Sequence, residues 1–347
     1  MKKVLLLASG GVDSSYCAFL LQKQGYSVLM VYLKLHDKEE KHQYYINNIK
    51  QCAKHLNLPY EIIDERELFK TKVYDYFVES YQKGLTPNPC AMCNPYVKFG
   101  VAFGLADKMG FDFVATGHYA QIKENKIAQS VDKHKDQSYF LFGLKPEWIP
   151  RILFPLGDKK KEEIKPIALK ELPWLGNLET YKDSQEICFV DKTYMDILKK
   201  HCNPNKSGVV VDCKGEKIGT HRGYMHYTIG KRKGLTIPGA LSPHYVLSIN
   251  PQDNTIVAGS KEELAVSEIY AMNFSLPKMY FQEANELLCE IKVRYKSHKV
   301  PAKVTLEDKG KNEIIKAFLK EPVYGVAKGQ ALVLYEEDKV LGGGFII

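Results

Sequence analysis

The sequence predicts an α/β domain with a parallel sheet at the N-terminus, followed by two smaller β-rich domains. In the first third of the chain, short apolar runs alternate with longer amphipathic stretches, the pattern of strands and covering helices in a parallel sheet. Beyond about Asn205 helical periodicity disappears, and short strands recur between glycine, proline and asparagine turns. A length of 347 residues also fits two or three domains. We therefore expect domains over 1–205, 206–265 and 266–347.

The N-terminal region supplies the predicted α/β elements. Gly25, Asn57 and Gly110 follow the amphipathic stretches, where a left-handed cap residue ends a helix at low cost. The predicted order is strand 4–8, helix 13–24, strand 27–33, helix 41–56, strand 60–63, helix 67–82, helix 94–109 and strand 112–116.

The C-terminal region supplies short strands in two groups. The second group has the strand spacing of a small barrel or sandwich. The predicted strands are 208–212, 216–220, 245–249 and 255–258 in the first group, and 290–295, 302–307, 314–318, 330–335 and 339–347 in the second.

Composition indicates a folded chain in a reducing compartment. The 45% hydrophobic and 26% charged residues exclude a disordered chain. The apolar run after Met1 is too short for a signal peptide, and no run approaches membrane-spanning length, so we expect a cytoplasmic protein without a membrane partner. Without a secretion signal, the eight cysteines are interpreted as reduced thiols. The net charge of +8 fits a polyanionic partner without proving one.

The first strand leads into an anion-binding loop. Ser9-Gly10-Gly11-Val12-Asp13-Ser14-Ser15 joins it to an amphipathic helix. Glycines let backbone N–H groups approach a phosphate, the helix N-terminus adds partial positive charge, and the serines can donate hydrogen bonds. Asp13 fits such a loop if it holds a divalent metal that bridges phosphate oxygens. The plainer interpretation is a turn in which Asp13 or Ser14 caps the helix.

The loop resembles the SGGxDS fingerprint of the PP-loop ATP pyrophosphatases, and it lacks the Gly-Lys-Ser/Thr of a Walker loop. The resemblance implies cleavage of ATP to AMP and pyrophosphate with adenylation of a substrate oxygen. It also implies that adenine packs near Leu33 and that Gly117 borders the nucleotide, although a core strand and a turn explain these two residues equally well. The implied ATP-binding residues are Leu7, Ala8, Ser9, Gly10, Gly11, Val12, Asp13, Ser14, Leu33 and Gly117.

A cysteine pair follows a rigid loop. Pro87 and Pro89 restrict the backbone ahead of a helix predicted over 95–109, so Cys90 and Cys93 lie near a helix N-terminus, which favours the thiolate. The Cys-x-x-Cys spacing fits a redox pair, half of a metal site or coincidence. There is no second Cys-x-x-Cys, but Cys188 could supply a third thiol.

Several longer motifs follow one another along the chain: TPNPCAMCN (86–94), ATGHYA (115–120), KDQSYFL (135–141), KDSQEICF (182–189), YTIGKRKGL (227–235) and LGGG (341–344). Together they resemble bacterial tRNA-specific 2-thiouridylases over essentially the whole chain. They stand in the order seen in that family, which makes a chance similarity very improbable.

The resemblance implies an N-terminal PP-loop domain of the adenine nucleotide alpha hydrolase type, a β-rich central domain and a C-terminal β-barrel that together grip the anticodon arm of tRNA. The target would be the wobble uridine of tRNAs for Lys, Glu and Gln. ATP with Mg²⁺ would adenylate its C2 oxygen, and sulfur from a persulfide would displace AMP. A cysteine desulfurase or a relay protein would donate the sulfur.

The resemblance also implies residue roles. Cys93 would be the nucleophile and Cys188 the persulfide carrier, and the two would form a disulfide when sulfur is released. The residues against the target base would be Asn88, Pro89 and Cys90; those in contact with tRNA would be His118, Lys135, Asp136, Gln137, Arg294, Tyr295 and Gln330.

Two departures from the family pattern leave alternatives open. Some members have aspartate at the position of Cys90, and glutamine is usual at Lys231. Cys90, Cys93 and Cys188 could instead hold a four-iron, four-sulfur cluster that presents sulfide to the activated base. Another PP-loop adenylating synthetase and a tRNA-binding module with a structural metal on these cysteines are the rival functions. We expect Cys17 and Cys52 to be core residues.

Overall fold

The computed structural model describes residues 1–176, 187–281, 286–309 and 312–347, which fall into two compact units. The division of the sequence near Asn205 and Val266 remains a prediction. The first unit comprises 1–73, 90–185 and 337–341, and the second comprises 74–89, 186–336 and 342–347.

The helices begin and end close to the predicted positions in the N-terminal region. Asn57 and Gly110 adopt the left-handed conformation at helix ends, as the sequence predicts (φ 50° and 70°). In the described residues the α-helices are α1 (Val12–Lys23), α2 (Glu39–Leu56), α3 (Arg66–Phe69), α4 (Asp75–Gln82), α5 (Pro89–Cys93), α6 (Phe99–Met109), α7 (Lys161–Glu171) and α8 (Tyr194–Leu198).

The strands form three sheet systems. In the described residues they are β1 (Lys3–Leu7), β2 (Ser27–Lys34), β3 (Tyr60–Asp64), β4 (Phe113–Thr116), β5 (Ala120–Lys123), β6 (Lys126–Gln129), β7 (Ile152–Leu153), β8 (Gly208–Val211), β9 (Lys217–His221), β10 (Tyr245–Asn250), β11 (Thr255–Gly259), β12 (Ala265–Ser275), β13 (Glu286–Lys292), β14 (Val300–Lys309), β15 (Asn312–Tyr324), β16 (Ala331–Glu336) and β17 (Lys339–Ile346).

The first unit contains the predicted parallel sheet. Its strand order is β3-β2-β1-β4-β7, and every pairing is parallel. Val4, Leu5 and Leu6 of the central strand β1 are fully buried because helices cover both faces. The chain runs outward from β1 to β3 and then returns to β4 on the other side of β1, which creates a topological switch point beside the carboxyl end of β1.

The predicted helices 67–82 and 94–109 are each interrupted by a π-helical turn, at Lys70–Tyr74 and Asn94–Lys98. The second interruption has a physical cause, because Pro95 has no N–H to donate to an α-helical bond. The helical structure also starts earlier than predicted, at Pro89, where proline is well suited to a first helical position. Cys90 and Cys93 therefore lie within a helical turn and not in a loop that precedes it.

The second unit contains a four-stranded sheet and a closed barrel. The sheet order is β10-β11-β8-β9. The barrel order is β12-β15-β14-β13-β16-β17, and pairing of β12 with β17 closes it, which confirms the expected C-terminal β-barrel. Sequence analysis missed β12 because its outward positions are apolar: Tyr270 and Met272 are exposed between buried Ile269 and Ala271, so the alternation of polar and apolar residues is hidden.

Several more elements of the first unit were not predicted, among them the short strand β7. The β5–β6 hairpin turns through Glu124 and Asn125, both with positive φ, and Ala128 of β6 pairs with Lys339. Helix α7 was missed because Pro166 interrupts its pattern. Within the described residues, no helix combines the length and apolar composition needed to cross a bilayer.

Candidate active site

The predicted ATP loop has the strand–turn–helix geometry of an anion site. Gly10 has φ 77°, a left-handed conformation that favours glycine, and α1 begins just after Gly11. The Ser14 hydroxyl accepts a bond from the Ser9 N–H at 3.0 Å, lies 3.1 Å from the Ser9 hydroxyl and donates to the Gly11 carbonyl at 3.2 Å. Ser15 is fully buried, so it does not add the hydroxyl that the sequence suggested. The loop is thus held in shape by its own residues.

Helix α2 supports the loop from behind. A Cβ on Gly10 would lie 2.5 Å from the backbone oxygen of Tyr45, so no larger residue fits there. The buried side-chain amide of Asn48 donates to the Gly10 carbonyl at 3.0 Å. Sequence analysis missed both residues, since nothing in the sequence relates α2 to the loop.

Asp13 is held by two donors on the same oxygen. The Tyr119 hydroxyl lies 2.9 Å from Oδ1, and the Lys161 ammonium lies 2.5 Å from it. Burial, with the Asp13 charge adding to it, raises the pKa of Tyr119, so its hydroxyl stays protonated and donates. The side chain of Asp13 is 34% exposed whereas that of Lys161 is 7% exposed. The carboxylate is therefore fixed in direction yet open to a ligand.

The other predicted nucleotide residues lie at the same edge of the sheet. Leu7 pairs with Val31 and Thr116, so the carboxyl ends of β1 and β4 are level, and β2 runs on beyond them to Lys34. A Cβ on Gly117, just after β4, would lie 3.2 Å from the Ser14 nitrogen, a tight contact that favours glycine at this position. Leu33 is half-buried near the end of β2.

A histidine pair fixes the end of β2, and sequence analysis missed it. The Tyr32 hydroxyl lies 2.7 Å from Nδ1 of His42, whose Nε2 lies 2.6 Å from the His36 carbonyl. The rings of His36 and His42 stack at 4.3 Å. Burial lowers the pKa of His36 to about 4, so it is neutral at neutral pH. The contact between Tyr32 and His42 therefore ties the strand edge beside the loop to α2.

The cysteines differ in exposure. Cys93 is 5% exposed and Cys90 is half-buried in α5. Cys188, in the second unit, is exposed and precedes Phe189, which packs against Phe77 at 5.2 Å. Residues 182–186 of its motif lie outside the described residues. The expected core cysteines Cys17 and Cys52 are fully buried, and burial raises the pKa of both thiols.

Gln330 supports the loop ahead of the cysteines. Its side-chain amide donates to the carbonyls of Thr86 and Pro87, each at 3.1 Å, and the Thr86 N–H donates to the Lys328 carbonyl. Asn88 is buried, and Pro89 begins α5. The structure thus gives Gln330 an internal role beside its predicted contact with tRNA.

The predicted tRNA residues of the first unit are mostly engaged internally. Asp136 is 3% exposed and accepts bonds from Gln129, Ser130 and Ser138. Gln137 exchanges two hydrogen bonds with the backbone of Tyr119.

His118 and Lys135 complete this set. Nδ1 of His118 lies 2.7 Å from the Thr116 hydroxyl, and the imidazole ring stacks on Phe99. Burial, followed by the nearby Lys98, holds the pKa of His118 well below its usual value, so it is neutral at neutral pH. Lys135 is half-buried, and its backbone N–H donates to Asp132.

Arg294 and Tyr295 lie in the turn between β13 and β14. Arg294 is exposed and Tyr295 is half-buried. Lys296 and His298 in the same turn are also exposed. This turn therefore presents a basic surface suited to phosphate groups.

Among the described residues, the thiols do not form a metal site within either unit. In the part of the chain that the structure describes, no group of three or more histidine, cysteine, aspartate or glutamate side chains is placed to hold a metal ion. Cys90 and Cys93 belong to the first unit and Cys188 to the second. The cluster hypothesis gains no support from either unit taken by itself.

Comparison with known proteins identifies the family. Three family profiles match in order: a tRNA methyl transferase HUP domain at 2–192, a tRNA methyl transferase PRC-barrel domain at 195–260 and an aminomethyltransferase beta-barrel domain at 266–346. The tRNA-specific 2-thiouridylase MnmA of Helicobacter hepaticus is 56% identical, with 99% of each chain covered. The chain belongs to the tRNA-specific 2-thiouridylase family. The family member of Nitratiruptor sp. is 51% identical over 100% of this chain and 99% of its own.

Among solved structures, a 4-thiouridine synthetase–RNA complex with bound ATP aligns at a TM-score of 0.35 and 18% identity, over 53% of this chain and 44% of that chain. A likeness this distant carries no weight for function.

Proposed function

We propose that this chain is a tRNA-uridine 2-sulfurtransferase that uses ATP to replace the C2 oxygen of a wobble uridine with sulfur. The observation that carries the proposal is the full-length 56% identity to a 2-thiouridylase, in a chain whose ATP loop is intact. The substrates would be tRNAs for Lys, Glu and Gln, which places the reaction in the cytoplasm.

In the first step the C2 oxygen of the uridine attacks the α-phosphorus of ATP, and pyrophosphate leaves. The phosphates would lie on the backbone of Gly10 and Gly11 and on the N-terminus of α1, at the switch point of the sheet. The bound triphosphate is thereby oriented with its charge facing the helix N-terminus. Leu33 and Gly117 would border the nucleotide.

Asp13 suits a magnesium ion. It offers a carboxylate oxygen, the ligand that Mg²⁺ prefers, and its side chain is 34% exposed beside the loop. Magnesium bound with ATP would neutralise charge on the phosphate oxygens. Tyr119 and Lys161 keep the carboxylate in one orientation.

The sulfur step uses two thiols in different surroundings. The exposed Cys188 is accessible to a donor protein, a cysteine desulfurase or a relay protein, and would carry the persulfide. The buried Cys93 is shielded from such a donor, which suits a thiol that acts only after sulfur has been loaded. The Cys93 thiolate would attack the inner sulfur of the Cys188 persulfide, form the Cys93–Cys188 disulfide and release hydrosulfide. The hydrosulfide then attacks C2, AMP leaves, and an external thiol reduces the disulfide.

The remaining predicted residues would bind the RNA. Asn88, Pro89 and Cys90 would lie against the target base, and the basic turn at Arg294 and Tyr295 would bind phosphates. His118, the 135–137 segment and Gln330 would complete the contacts, with Asp136 and Gln330 acting chiefly through the loops that they hold.

An iron–sulfur mechanism is the alternative for the sulfur step. Cys90 stands where some family members have aspartate, so a third thiol is available to hold a four-iron, four-sulfur cluster together with Cys93 and Cys188.

Two of the family profiles carry a methyl transferase description. The SGGVDS loop and the paired thiols favour adenylation and sulfur transfer, since transfer of a methyl group needs neither.

The proposal is tested with purified protein, ATP, Mg²⁺, a persulfide donor and unmodified tRNA for Lys. The expected result is ATP-dependent 2-thiouridine in the digested tRNA, with one pyrophosphate released for each sulfur inserted. Incorporation of sulfur without ATP, or a methylated uridine, would refute it.

The order of sulfur transfer is tested with labelled persulfide under anaerobic conditions. Cys93→Ser should accept label on the Cys188 peptide and then stall, whereas Cys188→Ser should adenylate tRNA but accept no label. Cys213→Ser is a matched control. Cys213 is exposed like Cys188, but its thiol donates a hydrogen bond to Glu263. If activity instead follows bound iron and Cys90→Ala is as inactive as the other two variants, the cluster mechanism is correct.

A further inference from the structure

A cluster of aromatic rings in the second unit lies beside the thiol to which the persulfide is assigned. Phe189, the residue after Cys188, is 4% exposed, and its ring packs edge-on against that of Phe77 at 5.2 Å. The Phe189 ring also lies 5.8 Å from the ring of Tyr74, whose hydroxyl is 2.9 Å from Nε2 of His201. Cys188 is exposed, whereas its neighbour is buried among these rings.

The Phe189 ring attaches residues 187–190, the Cys188 turn, to the rest of the unit. A hydrogen bond from the Val190 N–H to the Ile187 carbonyl, at 2.9 Å, closes this turn. Phe189 and Val190 are its buried residues, and the three residues that follow them are exposed. The position of the Cys188 thiol therefore depends on how Phe189 is seated.

The rings also connect the Cys188 turn to the segment that leads to the cysteine pair. Phe77 belongs to α4, and its ring packs against Tyr81 at 5.0 Å, while Tyr81 stacks on Tyr194 of α8 at 4.6 Å. After α4 the chain passes through the loop that Gln330 holds and enters α5. Helix α4 is therefore a common base for the Cys188 turn and for the loop ahead of the cysteine pair.

A fixed turn matters for a reaction between two thiols of one chain. The rate of such a reaction depends on the effective concentration of one thiol at the other, which falls when either thiol samples many positions. The buried ring next to Cys188 restricts those positions, whereas loading from solvent needs only that the thiol is exposed. The ring contacts of Phe189 should therefore affect the intramolecular step and not the loading step.

We propose that Phe189 is a positioning residue for the sulfur step, whose ring holds the Cys188 turn on α4 while the Cys93 thiolate attacks. The inference rests on the proposed roles of the two cysteines. In that step Cys93 attacks the inner sulfur of the Cys188 persulfide, and the Cys93–Cys188 bond forms. The bond between the two persulfide sulfurs breaks, and its electron pair leaves with the outer sulfur as hydrosulfide. Phe189 acts through the turn that it holds.

The equilibrium of the Cys93–Cys188 disulfide in glutathione buffers tests this without tRNA, ATP or a sulfur donor. The fraction of disulfide, measured by peptide mass spectrometry, gives the effective concentration of the two thiols. Phe189→Leu keeps an apolar side chain but loses the ring contacts, so it should lower this effective concentration about tenfold or more. Persulfidation of Cys188 by glutathione persulfide, measured separately, should stay within twofold of the wild-type rate.

Tyr74→Phe is a milder variant that tests the same contact if Phe189→Leu does not fold. It keeps the ring and loses the bond to His201, so it should lower the effective concentration roughly two- to threefold. An unchanged value in this variant, with Phe189→Leu unfolded, would contradict the proposal.

Val210→Ala is the control for a general loss of stability, because Val210 is fully buried in the core of the four-stranded sheet of the same unit. It should lower the melting temperature and leave the effective concentration within twofold. If it lowers the effective concentration as much as Phe189→Leu does, or if Phe189→Leu leaves that concentration unchanged, Phe189 is ordinary core packing and the proposal is wrong. A wild-type protein that forms no Cys93–Cys188 disulfide would also overturn it. Failure of tRNA thiolation in a protein that shows the expected pattern would refute the proposed function and leave the positioning role of Phe189 in place.

Discussion

The ATP loop and the predicted tRNA-contacting residues are built in different ways. Ser9, Gly11 and Ser14 hold the loop through hydrogen bonds between residues at most five positions apart. Asp136 and Gln330, by contrast, are used internally, and Arg294 is exposed. A short motif therefore specifies much of its own geometry, although Asn48 and Tyr119 also support this loop, whereas the role of an isolated polar residue depends on what the fold places beside it.

The largest effect is expected at the loop. Asp13→Asn keeps the size of the side chain but removes the charge that holds Mg²⁺, so ATP-dependent thiolation should fall by roughly two orders of magnitude or more. The variant should remain folded by circular dichroism. Asp158→Asn, which changes an exposed aspartate paired with Lys159, is the control and should retain full activity. Normal thiolation by Asp13→Asn would contradict the magnesium-binding role assigned to Asp13.

A smaller effect is expected at Gln330, whose side chain holds the loop that leads to the cysteines. Gln330→Leu removes two hydrogen bonds to the loop ahead of Cys90, worth about 1–3 kcal/mol in total, so the rate at saturating tRNA should fall about tenfold. Affinity for tRNA should change less than twofold. Gln252→Leu, at an exposed turn, is the matched control. A loss of affinity at an unchanged maximal rate would show that Gln330 acts through direct contact with RNA.

Exposed and buried residues should differ in salt dependence. Arg294→Ala should reduce the slope of log K for tRNA against log salt concentration by roughly 0.7–0.9, the effect of one lost phosphate contact. Lys320→Ala, at an exposed barrel position, is the control for a general charge effect. Asp136→Asn should lower the melting temperature without changing the slope, because its carboxylate bonds to its own loop. An unchanged slope in Arg294→Ala would indicate that this turn is solvated in the complex.

The smallest effect concerns pH. The pKa of His118 is lower in the folded chain than the ordinary value of about 6.5, so below that pH the unfolded chain binds more protons and stability falls as pH falls. His118→Gln should remove about 1 kcal/mol of this loss between pH 7 and pH 5.5, measured as a flatter dependence of unfolding free energy on pH. His134→Gln, at an exposed position, should leave the dependence intact. A steeper dependence in His118→Gln would mean that His118 is charged in the fold.

The sequence predicted the α/β sheet and the ATP loop because both depend on local patterns. Apolar runs locate β1, β2 and β4, and the glycines of the loop are adjacent in sequence. Strand β12 was missed because exposed Tyr270 and Met272 hide its alternation. Lys161 was missed for a different reason. It lies 148 positions from Asp13 in the sequence, and only the packing of α7 against α1 brings the two side chains together.

The resemblance to the family added what local patterns could not give. It singled out Cys93 and Cys188 among eight cysteines, and their contrasting exposure is compatible with the different roles that it implies. It did not indicate that Asp136 is buried or that Gln330 holds the cysteine loop, because such contacts depend on residues distant in sequence. These side-chain partners required the three-dimensional structure.

The most direct measurement of the central claim is nucleoside mass spectrometry of tRNA from cells that lack this protein. The account predicts that 2-thiouridine derivatives disappear from the wobble position of tRNAs for Lys, Glu and Gln. They should return with the wild-type gene and with Cys213→Ser, but not with Cys93→Ser or Cys188→Ser. Unchanged 2-thiouridine in the deletion strain, or full restoration by Cys93→Ser, would contradict the account.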